Sequence, residues 1–203
     1  MENYMLACMD FDVALGKIID GFKQKGIFDK TLFVLYGDHD LYYDGADEKQ
    51  LSFTLTNTDD ITNYALYNTV LTFYNEKLNS LYHSKNINKE FEYFTTPHSI
   101  VPTILDLLGK KYLSNLYMTD SIFSSNYSED EIFYSYELSC FFNDKYLTED
   151  GVNINKTFNE NANSTDIFLN KVTDYIVKQA YIDKIYKSNF FDKYQLDDFV
   201  NVI

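Results

Sequence analysis

The stretch Thr31-Leu32-Phe33-Val34-Leu35-Tyr36-Gly37-Asp38-His39 decides how the rest of the chain is read. Five apolar or aromatic residues run without alternation from Leu32 to Tyr36, the pattern of a strand buried on both faces. Gly37 lacks a Cβ and is expected to permit a sharp exit at positive φ. Asp38 and His39 then fall just past the strand's carboxyl end, where ligands and metals sit in open α/β sheets. A carboxylate oxygen beside an imidazole nitrogen suits Zn²⁺, Mn²⁺ or Fe better than Cu(I). These two residues are the candidate metal ligands.

Upstream, residues 4–25 read as a helix. Leu6, Met9 and Val13 continue into Leu15, Ile18, Ile19 and Phe22 at helical spacing, which predicts one apolar face. Lys23 and Lys25 suit the negative end of the helix dipole, and Gly26 is a natural residue to end it. A helix feeding a buried strand is half of a βαβ unit, so a further strand before residue 1 is expected. Downstream, residues 40–48 form an acidic, aromatic loop. A calcium loop does not fit it, because the twelfth position counted from Asp38 is Lys49 rather than a bidentate Glu. Asp40 and Asp44 are kept as candidates for supporting the metal site, while Asp47 and Glu48 read as solvated surface.

The remaining pattern alternates apolar runs with amphipathic segments, which predicts an α/β fold. Residues 50–65 are polar, residues 65–74 read as the next buried strand, and residues 75–92 as a polar connector. Residues 97–109 read as a helix with Ser99 capping, Pro102 in its first turn, Ile104, Leu105 and Leu108 inward, and Gly109 at its end. Residues 120–147 hold short alternating segments that suggest a small antiparallel sheet, with Asp150-Gly151 as a turn signal. Residues 152–163 are Asn-rich and loop-like. A terminal helix follows over residues 166–186, with Phe168, Val172, Ile176 and Ala180 expected on one face. Residues 189–203 are mixed in character. One domain is favoured, with residues 1–118 as its α/β core and 119–203 as the small sheet and helix.

Composition narrows the function classes. The 203 residues carry a net charge of −14, which opposes binding to a phosphate backbone, and no basic stripe offsets it. Nucleic acid is therefore not an expected partner. The 19 Tyr and 17 Phe with only 2 Pro suit packed elements. Two cysteines make no framework or zinc spacing, and Cys8, among apolar helix neighbours, is expected to be a small buried hydrophobe. The N-terminal residues lack the basic and apolar regions of a signal peptide, and no apolar run approaches the ~20 residues of a membrane helix. Of the other histidines, His83 reads as a surface loop residue, and His98 as part of a helix start in preference to a residue facing the cleft.

Tyr36-Gly37-Asp38-His39, after an amphipathic helix and a Thr-Leu-Phe-Val-Leu strand, resembles the Asp-His metal site of the sulfatase and alkaline phosphatase superfamily. Within it the chain is most similar to the lipoteichoic acid synthase-type phosphoglycerol transferases. Pro102-Thr103-Ile104-Leu105-Asp106-Leu107-Leu108-Gly109 and the segment from Phe141 to Gly151 carry the resemblance further, always to the C-terminal part of that catalytic domain. It departs from the family at Thr69-Val70-Leu71, where a proline is usual, and at Ser99, where an Asp is usual. The resemblance implies an alkaline phosphatase-like α/β sandwich and one divalent metal, Mn²⁺ before Zn²⁺ or Mg²⁺, held in part by Asp38 and His39. It implies a phosphoglycerol lipid, or a sulfate or phosphate ester, as substrate, and a membrane-anchored enzyme with an extracellular catalytic domain. The family's nucleophilic Thr and a further acidic ligand have no counterpart among the matched residues. Two readings stay open: the C-terminal portion of such an enzyme, inactive without an upstream portion, or a truncated relic or binding module that keeps part of the fold.

Overall fold

A computed structural model describes residues 2–38, 69–85, 95–125, 127, 131–135, 139–157 and 165–193. The protein is mixed α/β, with helices and two small antiparallel sheets. It divides into two compact units, residues 1–91 and 92–203.

The first unit opens with helix α1 (Glu2–Gln24). The helix ends in a Schellman motif: Gly26 at φ +65° lets its own N–H reach the Lys23 carbonyl and that of Ile27 reach the Phe22 carbonyl. A short turn (Phe28–Lys30) leads into strand β1 (Phe33–Tyr36), which pairs antiparallel with β2 (Leu71–Tyr74). The packing is aromatic. Phe33 meets Phe22 edge-on at 5.2 Å and Phe28 at 5.5 Å, Phe28 meets Tyr74 at 5.9 Å, and the Lys23 ammonium lies 5.1 Å from the Phe28 ring.

This arrangement corrects three expectations. No residue of β1 is fully buried and Tyr36 is 56% exposed, so the strand is half-buried rather than enclosed on both faces. A continuous apolar run leaves both faces able to pack, but beyond the pairing with β2 the described ring contacts to β1 come from α1 and its following turn through Phe33. The apolar residues of α1 do not form one face either. Leu15, Ile19 and Phe22 are half-buried, while Leu6, Met9 and Val13 are exposed. At about 100° per residue the second set points to the opposite side of the helix from the first. Cys8 is exposed although it points to the side of Leu15, Ile19 and Phe22, because residues 5–14 are all exposed and this stretch of helix is not covered by the described residues.

After β2 comes helix α2 (Glu76–Lys85), where the polarity of the sequence had suggested a connector. Asn75 caps it, its Oδ1 accepting from the backbone of Lys77 at 3.0 Å and Leu78 at 3.3 Å. Its Nδ2 meanwhile donates to the carbonyls of Thr31 at 2.9 Å and Asp29 at 3.3 Å. One side chain thus ties the start of α2 to the approach to β1. Residues 39–68, including most of the expected second strand's beginning, lie outside the described residues.

The second unit begins with a turn (Pro97–Ser99) and helix α3 (Ile100–Leu107), closed by a second Schellman motif at Gly109, φ +63°. Ser99 does not cap it. Its hydroxyl instead turns back to the Thr96 carbonyl at 2.8 Å, deep in the interior, because the chain is already helical at Ser99. The inward face is Ile100, Pro102 and Thr103, with Ile104 and Leu105 half-buried, and Leu108 is 55% exposed rather than inward. Thr103 Oγ1 accepts from the backbone of Ile122 at 3.1 Å, and Ser121 Oγ donates to Asp106 at 2.7 Å, so buried hydroxyls bind this helix to the loop that follows.

The small sheet expected here is present as four antiparallel strands in sequence order: β3 (Phe133–Ser135), β4 (Cys140–Phe142), β5 (Tyr146–Thr148) and β6 (Lys156–Thr157). Asn143, 1% exposed, shapes the β4–β5 hairpin by accepting from the backbone of Lys145 and Tyr146 at 2.9 Å each. Asp150 and Gly151 make the β5–β6 turn as the sequence suggests. Asp150 Oδ1 accepts from Val152 and Asn153, and Gly151 sits at φ +73°. These backbone donors, Asn153 foremost, hold the Asp150 carboxyl well below the usual carboxylate range.

Helix α4 (Thr165–Lys187) lays Phe168 and Val172 against Ile132 and Tyr146, with Phe141, Ile154, Leu169 and Tyr175 around them. Ile176, 46% exposed, and Ala180 leave this face, and Tyr175 and Gln179 are the half-buried residues there. A strict spacing of four drifts by about 40° per step on a helix of 3.6 residues per turn, so the inward line follows fours and threes. A last short helix, α5 (Phe190–Lys193), follows, and residues 194–203 lie outside the described residues. Among the described residues no helix is long and apolar enough to cross a membrane.

Candidate functional site

Asp38 stands two residues beyond the end of β1, exposed, as the strand reading expects. The way Gly37 delivers it is different from the expectation. Positive φ occurs at Gly26, Gly109 and Gly151 but not at Gly37. What requires glycine here is a close approach: a Cβ on Gly37 would stand 2.6 Å from Thr69 Cβ and 2.9 Å from its Cγ2. The Gly37 N–H donates to the Val70 carbonyl at 3.1 Å, and Thr69 Oγ1 lies 3.5 Å from the Gly37 carbonyl. The two strands therefore press together just before the aspartate. With Asn75 anchoring the other end of β1, the position of Asp38 is set by backbone contacts within one unit.

The structure brings fewer of the candidates together than the sequence proposed. His39, Asp40 and Asp44 lie outside the described residues. His83 falls on helix α2 rather than in a loop. His98 belongs to the second unit, in the turn that starts α3, where a helix-start role was expected. Its ring is half-buried, lying 6.0 Å from the Tyr175 ring and 6.5 Å from that of Phe133, with Nε2 3.2 Å from the Tyr175 hydroxyl. Burial pushes the His98 pKa down. Cys140 is buried on β4 and unpaired, and burial pushes its thiol up, away from reactivity.

Among the described residues no three His, Cys, Asp or Glu side chains are grouped so as to hold a metal ion. Asp38 alone supplies a described donor of the expected set. An exposed carboxylate at a strand end is a hard oxygen donor, which suits Mn²⁺ or Mg²⁺, but one donor does not close a coordination sphere. Sequence reasoning passed over two residues that matter to the architecture. Asn75 was legible as a cap before an acidic first turn, had the polar segment been read as a helix. Glu131 is half-buried and its pKa is raised chiefly by that burial, against neighbours that include Lys171 and Lys178. No spacing rule in the sequence announces it.

Comparisons with protein-family models, with curated proteins and with solved structures return no match for this chain.

Proposed function

We propose that this chain forms the C-terminal portion of a metal-dependent phosphoryl- or sulfuryl-transfer domain, similar to the lipoteichoic acid synthase-type phosphoglycerol transferases. In this reading Asp38 and His39 contribute two ligands to a divalent cation, Mn²⁺ before Zn²⁺ or Mg²⁺. The substrate class is a phosphoglycerol lipid or another phosphate or sulfate ester. The observation that carries the reading is the exit of β1, where the contact between Gly37 and Thr69 holds an exposed aspartate at a fixed strand end. Bound there, the cation would lower the pKa of a nucleophile and neutralise charge on the transferred group. The nucleophile and a further acidic ligand come from another part of the intact domain.

Two ligands leave most of a cation's coordination to water, so the purified chain is expected to bind Mn²⁺ weakly and to turn over no ester. Calorimetric titration with Mn²⁺, run beside hydrolysis of a chromogenic phosphodiester, tests both points. Asp38→Asn with His39→Gln should abolish the binding and His83→Gln should leave it. Binding that survives the double change would remove Asp38 and His39 from the site. A folded chain that binds no Mn²⁺ would support the alternative of a non-catalytic module, and turnover by the chain alone would reveal a nucleophile within it.

A further inference from the structure

His98 occupies a position that its role in starting a helix does not explain. The turn Pro97–Ser99 places its ring at the rim of β3, the edge strand of the four-stranded sheet. Tyr134 and Phe141, a directly opposed pair, turn toward α4, where Phe141 meets Tyr175 at 5.8 Å. Phe133 and Phe142, the neighbouring pair, meet at 5.3 Å and turn to the other face. His98 touches Phe133 from that second group and Tyr175 from the helix covering the first. It therefore bridges, around the strand edge, side chains that belong to opposite faces of the sheet. Its contact with the Tyr175 hydroxyl spans 77 residues of sequence.

We propose that His98 is a proton-sensitive latch: neutral, it holds the start of α3 against β3 and α4, and protonated, it releases them. A neutral imidazole satisfies this setting, with one ring nitrogen paired to the Tyr175 hydroxyl and its apolar edges against two aromatic rings. An imidazolium here keeps the same single described partner while losing water from a half-buried charge. Among the described residues, the groups around it supply no countercharge. Its own turn contributes Pro97 and Ser99, β3 contributes Phe133, and α4 contributes Tyr175. On α4, Asp174 precedes Tyr175 and is exposed, and Lys171 and Lys178 stand one turn either side of Tyr175, both half-buried. The two lysines are cations that interact with Glu131, and Lys178 also donates to the Met118 carbonyl at 3.1 Å.

The direction of the pH effect follows. Burial alone lowers the folded-state pKa of His98 below the ordinary value of about 6.5, so the unfolded or opened form binds the proton more tightly. The latch is fully engaged above about pH 6.5 and weakens as pH falls toward the folded-state value. Glu131 works in the opposite sense. Its raised pKa stabilises the folded form at low pH and withdraws that contribution as pH rises through its folded value.

Hydrogen exchange followed by mass spectrometry, corrected for the intrinsic pH dependence of exchange, reads the latch on the full chain. Peptides covering residues 97–107 and 168–178 should lose protection between about pH 7.5 and pH 5.5, the histidine range. In His98→Gln that loss should vanish, leaving protection constant over the range, while Glu131→Gln should retain it. Flat protection in the natural chain, or a loss undiminished in His98→Gln, overturns the proposal. Should His98→Gln not fold, the natural chain decides by NMR titration: an imidazole midpoint for His98 at or above that of a free histidine overturns it. In Tyr175→Phe, removal of the hydroxyl should raise exchange at pH 7.5 toward the level the natural chain reaches at pH 5.5.

Discussion

Gly37→Ala tests whether the strand exit is held as tightly as the geometry implies. The new Cβ would lie 2.6 Å from Thr69 Cβ, 2.9 Å from Cγ2 and 3.3 Å from Oγ1. Carbon atoms settle at about 3.5–4.0 Å, so the closest pair overlaps by about 1 Å. Rotating Thr69 about χ1 moves Cγ2 and Oγ1 but leaves Cβ where it is. The backbones must separate instead, which costs about 1–3 kcal/mol of overpacking and endangers the Gly37 N–H to Val70 carbonyl bond, a further ~0.5–1.5 kcal/mol. Alanine also stiffens the unfolded chain, which returns about 0.4–1 kcal/mol. The net loss is about 0.5–4 kcal/mol, read locally as faster hydrogen exchange of residues 33–38 and 69–74. A second change identifies the cause. Thr69→Gly should largely restore protection in the Gly37→Ala background, whereas Thr69→Ala should restore only part, since its Cβ remains at the clash. Unchanged exchange in Gly37→Ala, or equal rescue by both Thr69 variants, would refute the reasoning.

Other expected outcomes follow from the same contacts. Asn75→Ala removes the α2 cap and the bridge to Thr31 and Asp29, and should cost about 1–3 kcal/mol, seen as early exchange in residues 76–80. Gly151→Ala forces a Cβ into φ +73° and to 3.3 Å from Val172 Cγ1, and should lower the thermal midpoint measured by circular dichroism by more than Gly16→Ala, a position with open space. Phe168→Ala should destabilise the second unit by about 3–5 kcal/mol in urea titration, because the ring is 2% exposed at the centre of its core. Acidification should erode the β5–β6 turn. Asp150 is held low in the folded state, so its contribution is present above the ordinary carboxylate value of about 3.9 and is lost as pH falls below it. Asp150→Asn should remove that acid dependence.

The legible parts of the sequence were those whose signal is local. Both long helices announced themselves by periodicity and Gly26 by its place after the last turn, and Asp150-Gly151 marked the β5–β6 turn. What local pattern could not carry is which side of an element meets a neighbour. The apolar residues of α1 fit a helix wherever they pointed, and only the contacts separate half-buried Leu15, Ile19 and Phe22 from exposed Met9 and Val13. The run that reads as enclosed on both faces, Leu32 to Tyr36, is half-buried. Cys140-Phe141-Phe142, a shorter run that drew no such reading, has two fully buried residues of three. The polarity of helix α2 hides it from an apolar-periodicity reading, although Asn75 and Glu76 supply a cap and an acidic first turn. For the candidate site, the strand end and Asp38 were legible from the sequence. The reason for Gly37 was not, since its partner Thr69 lies 32 residues away.

That last separation bears on how the proposed metal site would work. A carboxylate ligand is useful only if the cation does not have to organise the backbone behind it, because ordering a loose strand end would be subtracted from binding. Here the ordering is done by contacts that involve no ligand: the Gly37–Thr69 approach, the Gly37–Val70 hydrogen bond and the Asn75 bridge. The proposed site and the β1–β2 pairing are therefore linked, and the link runs in both directions. Gly37→Ala should weaken Mn²⁺ binding without altering a donor atom, and saturating Mn²⁺ should slow exchange at residues 33–38 in the natural chain. A strand end that took no part in binding would show neither effect, and Asp38 would then be a solvated residue at the end of a hairpin.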